Sequence, residues 1–360
     1  MKPFIVMDIV KEAQKIDDVV HLEIGEPDLL PSPAVKNAAL KAINENRFFY
    51  TESKGLRQLR EKISLHYKKF YDVDVNPENI IITTGTSTAF LIAFHFAKII
   101  TSPTPTYPCY PNFAELEEKE FIKIPTNYDF KPDISNLKNY DFDALMISSP
   151  NNPTGSVYNT KELKEICDFC NHNDKLLISD ELYHGLVYND DYTTAFKYNK
   201  NAIIINGFSK FFCMPGFRIG WMIVPDKLIR EAEIIAQNIL ISAPTLSQYA
   251  ALEAFDYEYL QNVKEEFQKR RDFLYESLKD IFEISEPQGA FYLWCDISRY
   301  SNNSLDFAKK LLYKAKVAVT PGVDFGDYQN HIRIAYTKNI YELEKAVIRI
   351  KKFIKNYNTD

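Results

Sequence analysis

The sequence predicts an α/β protein in which helices cover a mostly parallel sheet in a large domain, with a smaller α+β domain beside it. Apolar runs of strand length alternate with helix-like stretches through the middle of the chain. These runs are apolar at successive positions, as in strands that are covered on both faces. A chain of 360 residues also exceeds what one hydrophobic core usually serves, which favours two domains.

Five apolar runs in the middle of the chain are predicted to be buried strands. They lie at residues 79–84, 143–148, 175–179, 202–205 and 219–224. Helices are predicted from about residue 87 to 97 and over residues 160–172, between successive strands. Strand–helix alternation of this kind is typical of parallel sheets, because each crossover helix packs on a face of the sheet.

Beyond residue 225 the pattern becomes helical, with a long, highly charged helix predicted over residues 261–278. Three more strand-like runs follow at residues 291–294, 317–319 and 332–335. We expect an N-terminal arm and part of the small domain in residues 1–40, the large domain in 41–250 and the small C-terminal domain in 251–360.

Composition excludes several classes of function. The formal net charge of -6 argues against a nucleic-acid or anionic-membrane partner. No apolar run approaches membrane-spanning length, and the first residues lack the pattern of a secretory signal. Five cysteines, an odd number, favour reduced thiols over a disulfide framework, so we expect a cytoplasmic protein.

Polar residues of different chemistry follow successive predicted strands. The turn Gly-Thr-Ser-Thr at 85–88 opens a helix, where free backbone N–H groups suit an anion. A Pro- and Asn-rich turn at 149–155 follows the second strand, Asp180 the third and Lys210 the fourth. Because ligands of open parallel sheets bind beyond the carboxyl ends of the strands, we expect these residues to share one site.

Lys210 and Arg218 are unusual because each lies at the end of a buried apolar run. A lysine flanked by Phe208, Phe211 and Phe212 is partly desolvated, which lowers its pKa and makes it a better nucleophile. Arginine offers a planar fork that fits a phosphate. The pair indicates a pyridoxal phosphate site, while two solvated basic residues at a sheet edge remain the alternative.

Eight motifs distributed over nearly the whole chain point to one family. They are Gly-Glu-Pro-Asp at 25–28, Tyr50 with residues 55–60, Pro-Thr-Tyr-Pro-Cys-Tyr at 105–110, Asn-Asn-Pro-Thr-Gly at 151–155, Asp-Glu-Leu-Tyr at 180–183, Ser209 and Lys210 with Arg218, Gly-Ala-Phe-Tyr at 289–292 and Ile-Arg-Ile at 332–334. Because these motifs have the type and order found in one family, the chain resembles the class I/II pyridoxal-phosphate-dependent aminotransferases of the aspartate aminotransferase type, fold type I.

The resemblance implies how the cofactor ring is held. Lys210 would form a Schiff base with pyridoxal 5'-phosphate and later carry a proton between the substrate Cα and the cofactor. Asp180 would pair with the protonated ring nitrogen, and Tyr107 would stack on the ring. Asn152 and Tyr183 would donate hydrogen bonds to the 3-oxygen of the ring.

It also implies where the phosphate and the substrate bind. The phosphate would be held by Gly85, Thr86, Ser87, Ser209 and Arg218, and by Tyr50 of a neighbouring subunit, so that a homodimer shares its active sites. Arg333 would bind the substrate α-carboxylate, assisted by Asn152 and the backbone of Gly25. A side-chain pocket is expected from Phe4, Ile24, Leu29, Leu30 and Phe291.

The chain departs from the family pattern at several positions. Gly207 stands where the family often has a polar residue, and the segment at 98–105 is shorter than usual. The lysine that one aspartate-specific branch has at the position of Ser87 is absent, as is the arginine that another branch has before Pro244. These departures disfavour a dedicated aspartate enzyme and leave a neutral or aromatic amino donor open.

The leading hypothesis is a ping-pong aminotransferase that takes an amino acid and a 2-oxo acid. The alternative on the same fold is a pyridoxal phosphate-dependent carbon–sulfur lyase or decarboxylase. A cofactor-binding regulator without turnover and a nicotinamide dehydrogenase are disfavoured, since neither a basic DNA-binding segment nor the dinucleotide glycine fingerprint is present. Cys167 and Cys170 lack a second cysteine pair, so no metal is expected, and no role is assigned to His184.

Overall fold

The structure, a computed structural model, describes residues 3–357; residues 1–2 and 358–360 of the expected small domain lie outside the described part. Its helices are Ile5–Ala13 (α1), Pro33–Asn44 (α2), Arg57–Tyr71 (α3), Gly85–Phe94 (α4), Cys109–Leu116 (α5), Ile134–Leu137 (α6), Thr160–His172 (α7), Asp226–Leu240 (α8), Thr245–Ala251 (α9), Tyr257–Leu278 (α10), Ser304–Ala315 (α11) and Ile340–Tyr357 (α12). Between residues 3 and 357, none of these helices combines the length and apolar character needed to cross a bilayer.

The strands belong to three sheets. They are Val20–His21 (β1), Ile80–Thr83 (β2), Ile99–Pro103 (β3), Glu120–Ile124 (β4), Ala144–Ser148 (β5), Leu176–Asp180 (β6), Ile203–Gly207 (β7), Gly220–Ile223 (β8), Glu283–Ile284 (β9), Tyr292–Asp296 (β10), Val317–Ala318 (β11), Thr320–Pro321 (β12) and His331–Ala335 (β13). The five strands predicted in the middle of the chain are all present, and their ends differ from the prediction by at most two residues.

The largest sheet has seven strands in the order β2-β8-β7-β6-β5-β3-β4. Strands β3 to β7 pair in parallel, whereas β8 runs antiparallel to both of its neighbours, β2 and β7. This confirms the predicted mostly parallel sheet. Strands β3 and β4 were not predicted, because β3 carries polar residues and β4 is a half-exposed edge strand.

Both faces of this sheet are covered, which is why its strands are apolar at successive positions. Ile80 and Ile82 of β2 belong to one buried cluster, together with Ile204 of β7. The intervening Ile81 packs on the opposite face, in a second cluster that includes Ile203. Helix α4 packs on this second face, where Ala89, Phe90, Ala93 and neighbouring side chains of the helix are buried.

A smaller antiparallel sheet has the order β12-β13-β10-β9, and a separate two-stranded parallel sheet joins β1 to β11. The N-terminal strand β1 therefore pairs with a strand near the C-terminal end, Val20 with Val317 and His21 with Ala318. Helices α10, α11 and α12 pack beside these strands. The long helix predicted over 261–278 begins earlier, at Tyr257, where Asp256 caps its N-terminus.

Candidate active site

A cavity of about 370 Å³ lies at the edge of the large sheet where the parallel strands end. Thirteen of the predicted site residues line it: Phe4, Ile24, Gly25, Thr86, Ser87, Tyr107, Asn152, Asp180, Tyr183, Ser209, Lys210, Arg218 and Arg333. Most of these residues lie at or just after the ends of five strands of the large sheet, β2, β3, β5, β6 and β7. Arg218 precedes β8, Arg333 lies in β13 of the small sheet, and Phe4, Ile24 and Gly25 belong to the N-terminal segment. The residues that were expected to share one site at the strand ends therefore lie around one cavity.

Arg218 reaches this edge because β8 is antiparallel. Gly220, the first residue of β8, pairs with Thr83 at the end of β2 and with Gly207 at the end of β7. The residues that precede β8 therefore meet the residues that follow its two neighbours. The backbone of Arg218 is left-handed, with φ of 52°, and its Nη1 donates to the carbonyl oxygen of Pro215 at 3.0 Å.

The Lys210 amine is partly buried at the end of β7. Its Nζ donates a hydrogen bond of 2.6 Å to the carbonyl oxygen of Gly25 and lies 5.8 Å from the centroid of the Phe291 ring. Burial, and after it the positive charge of Arg333, lowers the pKa of the amine to about 8. A substantial neutral fraction near physiological pH makes this lysine a competent nucleophile and base.

Asp180, the last residue of β6, is buried with 5% of its surface exposed. Tyr110 donates a hydrogen bond to its Oδ2, and the backbone N–H of Leu182 donates to its Oδ1 at 3.0 Å. Burial raises the pKa of the carboxyl to about 6, against the opposing effect of these two hydrogen bonds. A buried carboxylate held in this way is suited to pair with a cation inside the cavity.

Arg333 comes from β13 of the small sheet and is 6% exposed. Its Nη1 donates to Asn152 Oδ1 at 2.8 Å, and its Nη2 donates to the Glu23 carbonyl at 2.7 Å and to Thr320 Oγ1 at 3.1 Å. Its Nε is buried and has no hydrogen-bond partner. Since unpaired buried donors are rare, this atom indicates a place for an anionic ligand.

Aromatic residues shape the wall between Lys210 and Arg333. The hydroxyls of Tyr183 and Tyr292 lie 2.8 Å apart, and the guanidinium carbon of Arg333 lies 4.3 Å from the centroid of the Tyr292 ring. Gly25 packs so closely that a Cβ there would lie 1.9 Å from the Tyr292 hydroxyl. The chain therefore needs glycine at position 25 for the lysine and the tyrosine to occupy these places.

Some predicted site residues lie elsewhere. Phe291 does not line the cavity, because its ring is fully buried against Tyr183 and Phe267. Leu29 and Leu30 line a separate shallow depression beside residues 213–217, so none of these three side chains lines the cavity.

Two further predicted cofactor ligands are also outside the cavity wall. Gly85 lies behind it, where a Cβ would approach Arg218 Nη2 to 2.8 Å. Tyr50 is 77% exposed on the surface and does not line the cavity of its own chain. A contact between Gly85 and a phosphate would therefore have to come from its backbone. A contact from Tyr50 would have to reach the site of a second chain.

Sequence analysis missed several residues that line the cavity. Tyr110 lies within a motif that was identified, but no role followed from its position. Asp324 and Phe325 precede β13, and Val6 and Met7 belong to α1. Only the tyrosine carried a usable signal, because the other four are brought to the site by the packing of distant segments.

The donor set fits pyridoxal phosphate. The Arg218 guanidinium, the hydroxyl groups of Thr86, Ser87 and Ser209 and the N-terminus of α4 suit a phosphate. The buried Asp180 carboxylate suits a cationic ring nitrogen, the amine of Lys210 an aldehyde, and the unpartnered Nε of Arg333 a substrate carboxylate. In the described residues, no group of three or more His, Cys, Asp or Glu side chains is placed to hold a metal ion.

Comparisons with known proteins give one consistent result. The family described as aminotransferase class I and II matches residues 17–350. A (5-formylfuran-3-yl)methyl phosphate transaminase from Methanocaldococcus jannaschii is 38% identical, over 98% of this chain and 96% of that protein.

Solved structures agree with the sequence comparison. An aminotransferase from Mycobacterium tuberculosis superposes with a TM-score of 0.95 and 33% identity, covering 99% of this chain and 97% of that one. A double mutant of the aspartate aminotransferase from Thermus thermophilus gives a TM-score of 0.93 at 29% identity, with coverage of 98% and 97%.

Proposed function

Because this chain belongs to the class I and II aminotransferases and is thus a transaminase that uses pyridoxal phosphate, we propose that it exchanges amino groups between an amino acid and a 2-oxo acid through Lys210. The observation that carries this proposal is one cavity that contains a lysine with a lowered pKa, a buried aspartate and an arginine with an unpartnered Nε. The cofactor supplies, when bound, an electron-withdrawing ring that stabilises negative charge at the substrate Cα.

We assign two functions to Lys210. Its amine would hold the cofactor at its aldehyde carbon and would be free to act as a base once an amino substrate had taken its place. The freed amine would then carry a proton between the substrate Cα and the cofactor. Its hydrogen bond to the Gly25 carbonyl holds the amine between the sheet edge and the N-terminal segment.

Arg333 is assigned to the substrate α-carboxylate. Three of its hydrogen bonds go to Asn152, Glu23 and Thr320, which fix the plane of the guanidinium. The fixed plane of the guanidinium sets the direction in which the remaining donor, Nε, points. The side-chain amide of Asn152 lies next to the guanidinium and assists at the proposed carboxylate position. Binding a carboxylate here orients the Cα of the substrate relative to Lys210.

The remaining roles concern the cofactor. Asp180 would hold the ring nitrogen in its protonated form, and the hydrogen bond from Tyr110 orients the Asp180 carboxylate. Tyr183 donates to the 3-oxygen of the ring together with Asn152. Tyr107 lines the cavity and would cover a face of the ring.

The phosphate is assigned to Thr86, Ser87, Ser209 and the Arg218 side chain, with the backbone at Gly85 behind them. These groups surround the N-terminus of α4, where both the backbone N–H groups and the helix dipole favour an anion.

We further propose that the protein is a cytoplasmic homodimer in which Tyr50 contacts the phosphate of the partner's site. Phe48, Phe49 and Tyr50 are consecutive and 58%, 83% and 77% exposed, an arrangement that favours coverage by another chain. The five cysteines are all free thiols, which supports a reducing compartment.

The proposed domain division keeps residues 41–250 together around the large sheet. The small domain then combines residues 1–40 with residues 251–360, and the pairing of β1 with β11 supports this arrangement. In this division Lys210, Asp180 and Arg218 belong to the large domain, while Gly25 and Arg333 belong to the small one.

The first test replaces Lys210 by alanine, with the exposed Lys227→Ala as the matched control. We expect the wild type and the control to develop the visible absorption band of a lysine-bound cofactor when pyridoxal phosphate is added. The band should disappear with an amino donor and return with a 2-oxo acid. In Lys210→Ala both the band and the turnover should be lost while the circular dichroism spectrum stays unchanged.

Two outcomes contradict the proposal. Turnover by Lys210→Ala would remove the assigned base and nucleophile. Release of a 2-oxo acid and ammonia by the wild type, without any need for an acceptor, would instead favour the carbon–sulfur lyase.

A further inference from the structure

The cavity has an apolar wall near Arg333. It consists of Phe4, Val6, Met7, Tyr107, Pro108 and Phe325. The Phe4 and Tyr107 rings are in contact, with centroids 6.3 Å apart, and Phe325 lies 4.9 Å from the guanidinium carbon of Arg333. A substrate whose carboxylate is bound by Arg333 therefore has aromatic and aliphatic surface beside it.

The cations that line this cavity in the described part of the chain are Lys210, Arg218 and Arg333. In the proposed function, Lys210 binds the aldehyde carbon, Arg218 the phosphate and Arg333 the α-carboxylate. No cation of this cavity wall is then left for a second carboxylate on the substrate. Placing such a charge against an apolar wall without a partner is costly.

Asp324 adds a negative charge to the same wall. Its Oδ1 accepts from the backbone N–H of Ile5 at 3.0 Å, and its Oδ2 accepts from that of Val6 at 3.2 Å. The next backbone N–H, that of Met7, donates to the Phe4 carbonyl at 3.1 Å. These three N–H groups at the N-terminus of α1 are thus already bonded, two of them to Asp324, and are not free for an anionic substrate.

We propose that this cavity selects amino acids and 2-oxo acids with uncharged, apolar side chains, aliphatic or aromatic, and that Asp324 rejects dicarboxylates. The inference rests on the proposed function, because it takes Arg333 as the site of the α-carboxylate. Apolar contacts attract the favoured side chain, and the like charge of Asp324 acts against the competitor, so the two effects add in the specificity.

The test measures how fast single amino donors bleach the cofactor band of the holoenzyme. We expect phenylalanine and leucine to give kcat/KM values at least about 100-fold above those of aspartate and glutamate. Pyruvate should restore the band more efficiently than 2-oxoglutarate. Equal or faster reaction of the dicarboxylates would overturn the inference, whereas a band that responds to no amino acid would contradict the proposed function itself.

A binding measurement separates selection from turnover. The unreactive anions 3-phenylpropionate and succinate are titrated into the holoenzyme by calorimetry. We expect 3-phenylpropionate to bind at least about tenfold more tightly, because only it places apolar surface on the wall. Tighter binding of succinate would overturn the inference without reference to catalysis.

The role of Asp324 is tested by Asp324→Asn, which keeps an oxygen acceptor for α1 but removes the charge. We expect the ratio of kcat/KM for aspartate to that for phenylalanine to rise about tenfold. The exposed Asp327→Asn removes the same charge three residues away and should leave the ratio unchanged. A purely structural effect would alter both donors alike, so an unchanged ratio in folded Asp324→Asn would overturn the role of Asp324.

Discussion

Burial acts in opposite directions on the two titratable groups nearest the proposed reaction. It lowers the pKa of the Lys210 amine to about 8 and raises the pKa of the Asp180 carboxyl to about 6. In both cases the charged form is disfavoured, because the low-dielectric site solvates charge poorly. A cationic ring beside Asp180 and an anionic substrate beside Arg333 would supply the missing counter-charges. The electrostatics of the site therefore suit a cationic ring and an anionic substrate.

Two histidines outside the cavity show the same effect of burial. His66 and His184 are both buried, and desolvation lowers the pKa of each imidazole to about 3. His66 is surrounded by aromatic rings, with Phe70 at 4.5 Å and Phe255 at 5.5 Å between ring centroids. Such imidazoles remain neutral in the folded protein at pH values where the unfolded chain binds protons.

His66→Phe should therefore reduce the sensitivity to acid. Stability from a neutral buried imidazole is present above about pH 6.5 and is lost as the pH falls toward the folded pKa of about 3. Between pH 6.5 and 5 the wild type should lose about 2 kcal/mol more unfolding free energy than His66→Phe. Urea unfolding of the holoenzyme at both pH values measures this difference.

The exposed His172→Phe provides the control for that experiment. It makes the same chemical change where the imidazole remains in contact with solvent, so its acid sensitivity should match that of the wild type. An equal loss of stability in wild type and His66→Phe would show that His66 takes up its proton without unfolding.

At the scale of elements, the reversed strand β8 determines where the phosphate end of the site forms. Its first residue pairs with the last residues of β2 and β7, which brings Arg218 to the N-terminus of α4. Gly85, at the start of that helix, has φ of 68°, a conformation that residues with a Cβ rarely adopt. Any Cβ there would also meet the Arg218 guanidinium.

Gly85→Ala should consequently weaken cofactor binding. The new methyl group would lie 2.8 Å from Arg218 Nη2, so the guanidinium must move away from the phosphate position. We expect the apparent Kd for pyridoxal phosphate to rise about tenfold or more, which corresponds to the loss of about 1.4 kcal/mol or more. Titration of the apoprotein with the cofactor, followed by absorbance, measures the change.

Gly216→Ala is the matched control, because a Cβ at that position meets no atom within 4 Å although the residue lies only two positions before Arg218. Its cofactor affinity should equal that of the wild type. Unchanged affinity in Gly85→Ala would remove Arg218 from the assigned phosphate site.

Local signals explain which elements the sequence could predict. Helix α7 has the bounds that were predicted for it, and Asn159 and Glu162 form a capping box at its start, a local signal contained within four residues. The start of α4 was placed two residues late, since the helix begins at Gly85 rather than after the Gly-Thr-Ser turn. Strand β3 was missed because the polar Thr101 and Ser102 interrupt its apolar run, although both residues are buried and the strand lies between β4 and β5.

The same distinction applies to the site. Lys210, Asp180 and Asn152 were predictable because each follows an apolar run, and strand ends of a parallel sheet converge. Asp324 gave no signal, since its place depends on the docking of α1 against the segment before β13. Phe291 was misplaced because neighbouring residues of an extended segment point to opposite sides, and Tyr292 is the one that faces the cavity.

At the scale of the whole molecule, the site exists only when distant parts of the chain are assembled. Arg333 of the small sheet donates to Asn152 beside the large sheet and to Glu23 of the N-terminal segment. Lys210 of the large sheet donates to Gly25 of that same segment. The N-terminal segment thus connects the two cations that the proposed reaction requires, so their separation depends on how the two sheets are held together.

The proposed dimer extends this assembly to a second chain, and Phe49→Asp tests it. Phe49 is 83% exposed next to Tyr50, and burial of such a ring contributes a large part of the binding free energy of a dimer contact. We expect Phe49→Asp to sediment as a monomer and to lose affinity for pyridoxal phosphate, because the partner's Tyr50 is withdrawn. Ile348→Asp, which replaces another exposed apolar residue (68% exposed, on α12), should remain dimeric and keep its cofactor. If Phe49→Asp stays dimeric, the aromatic segment 48–50 is not the interface; if it becomes monomeric but binds the cofactor as tightly as before, Tyr50 does not reach the phosphate.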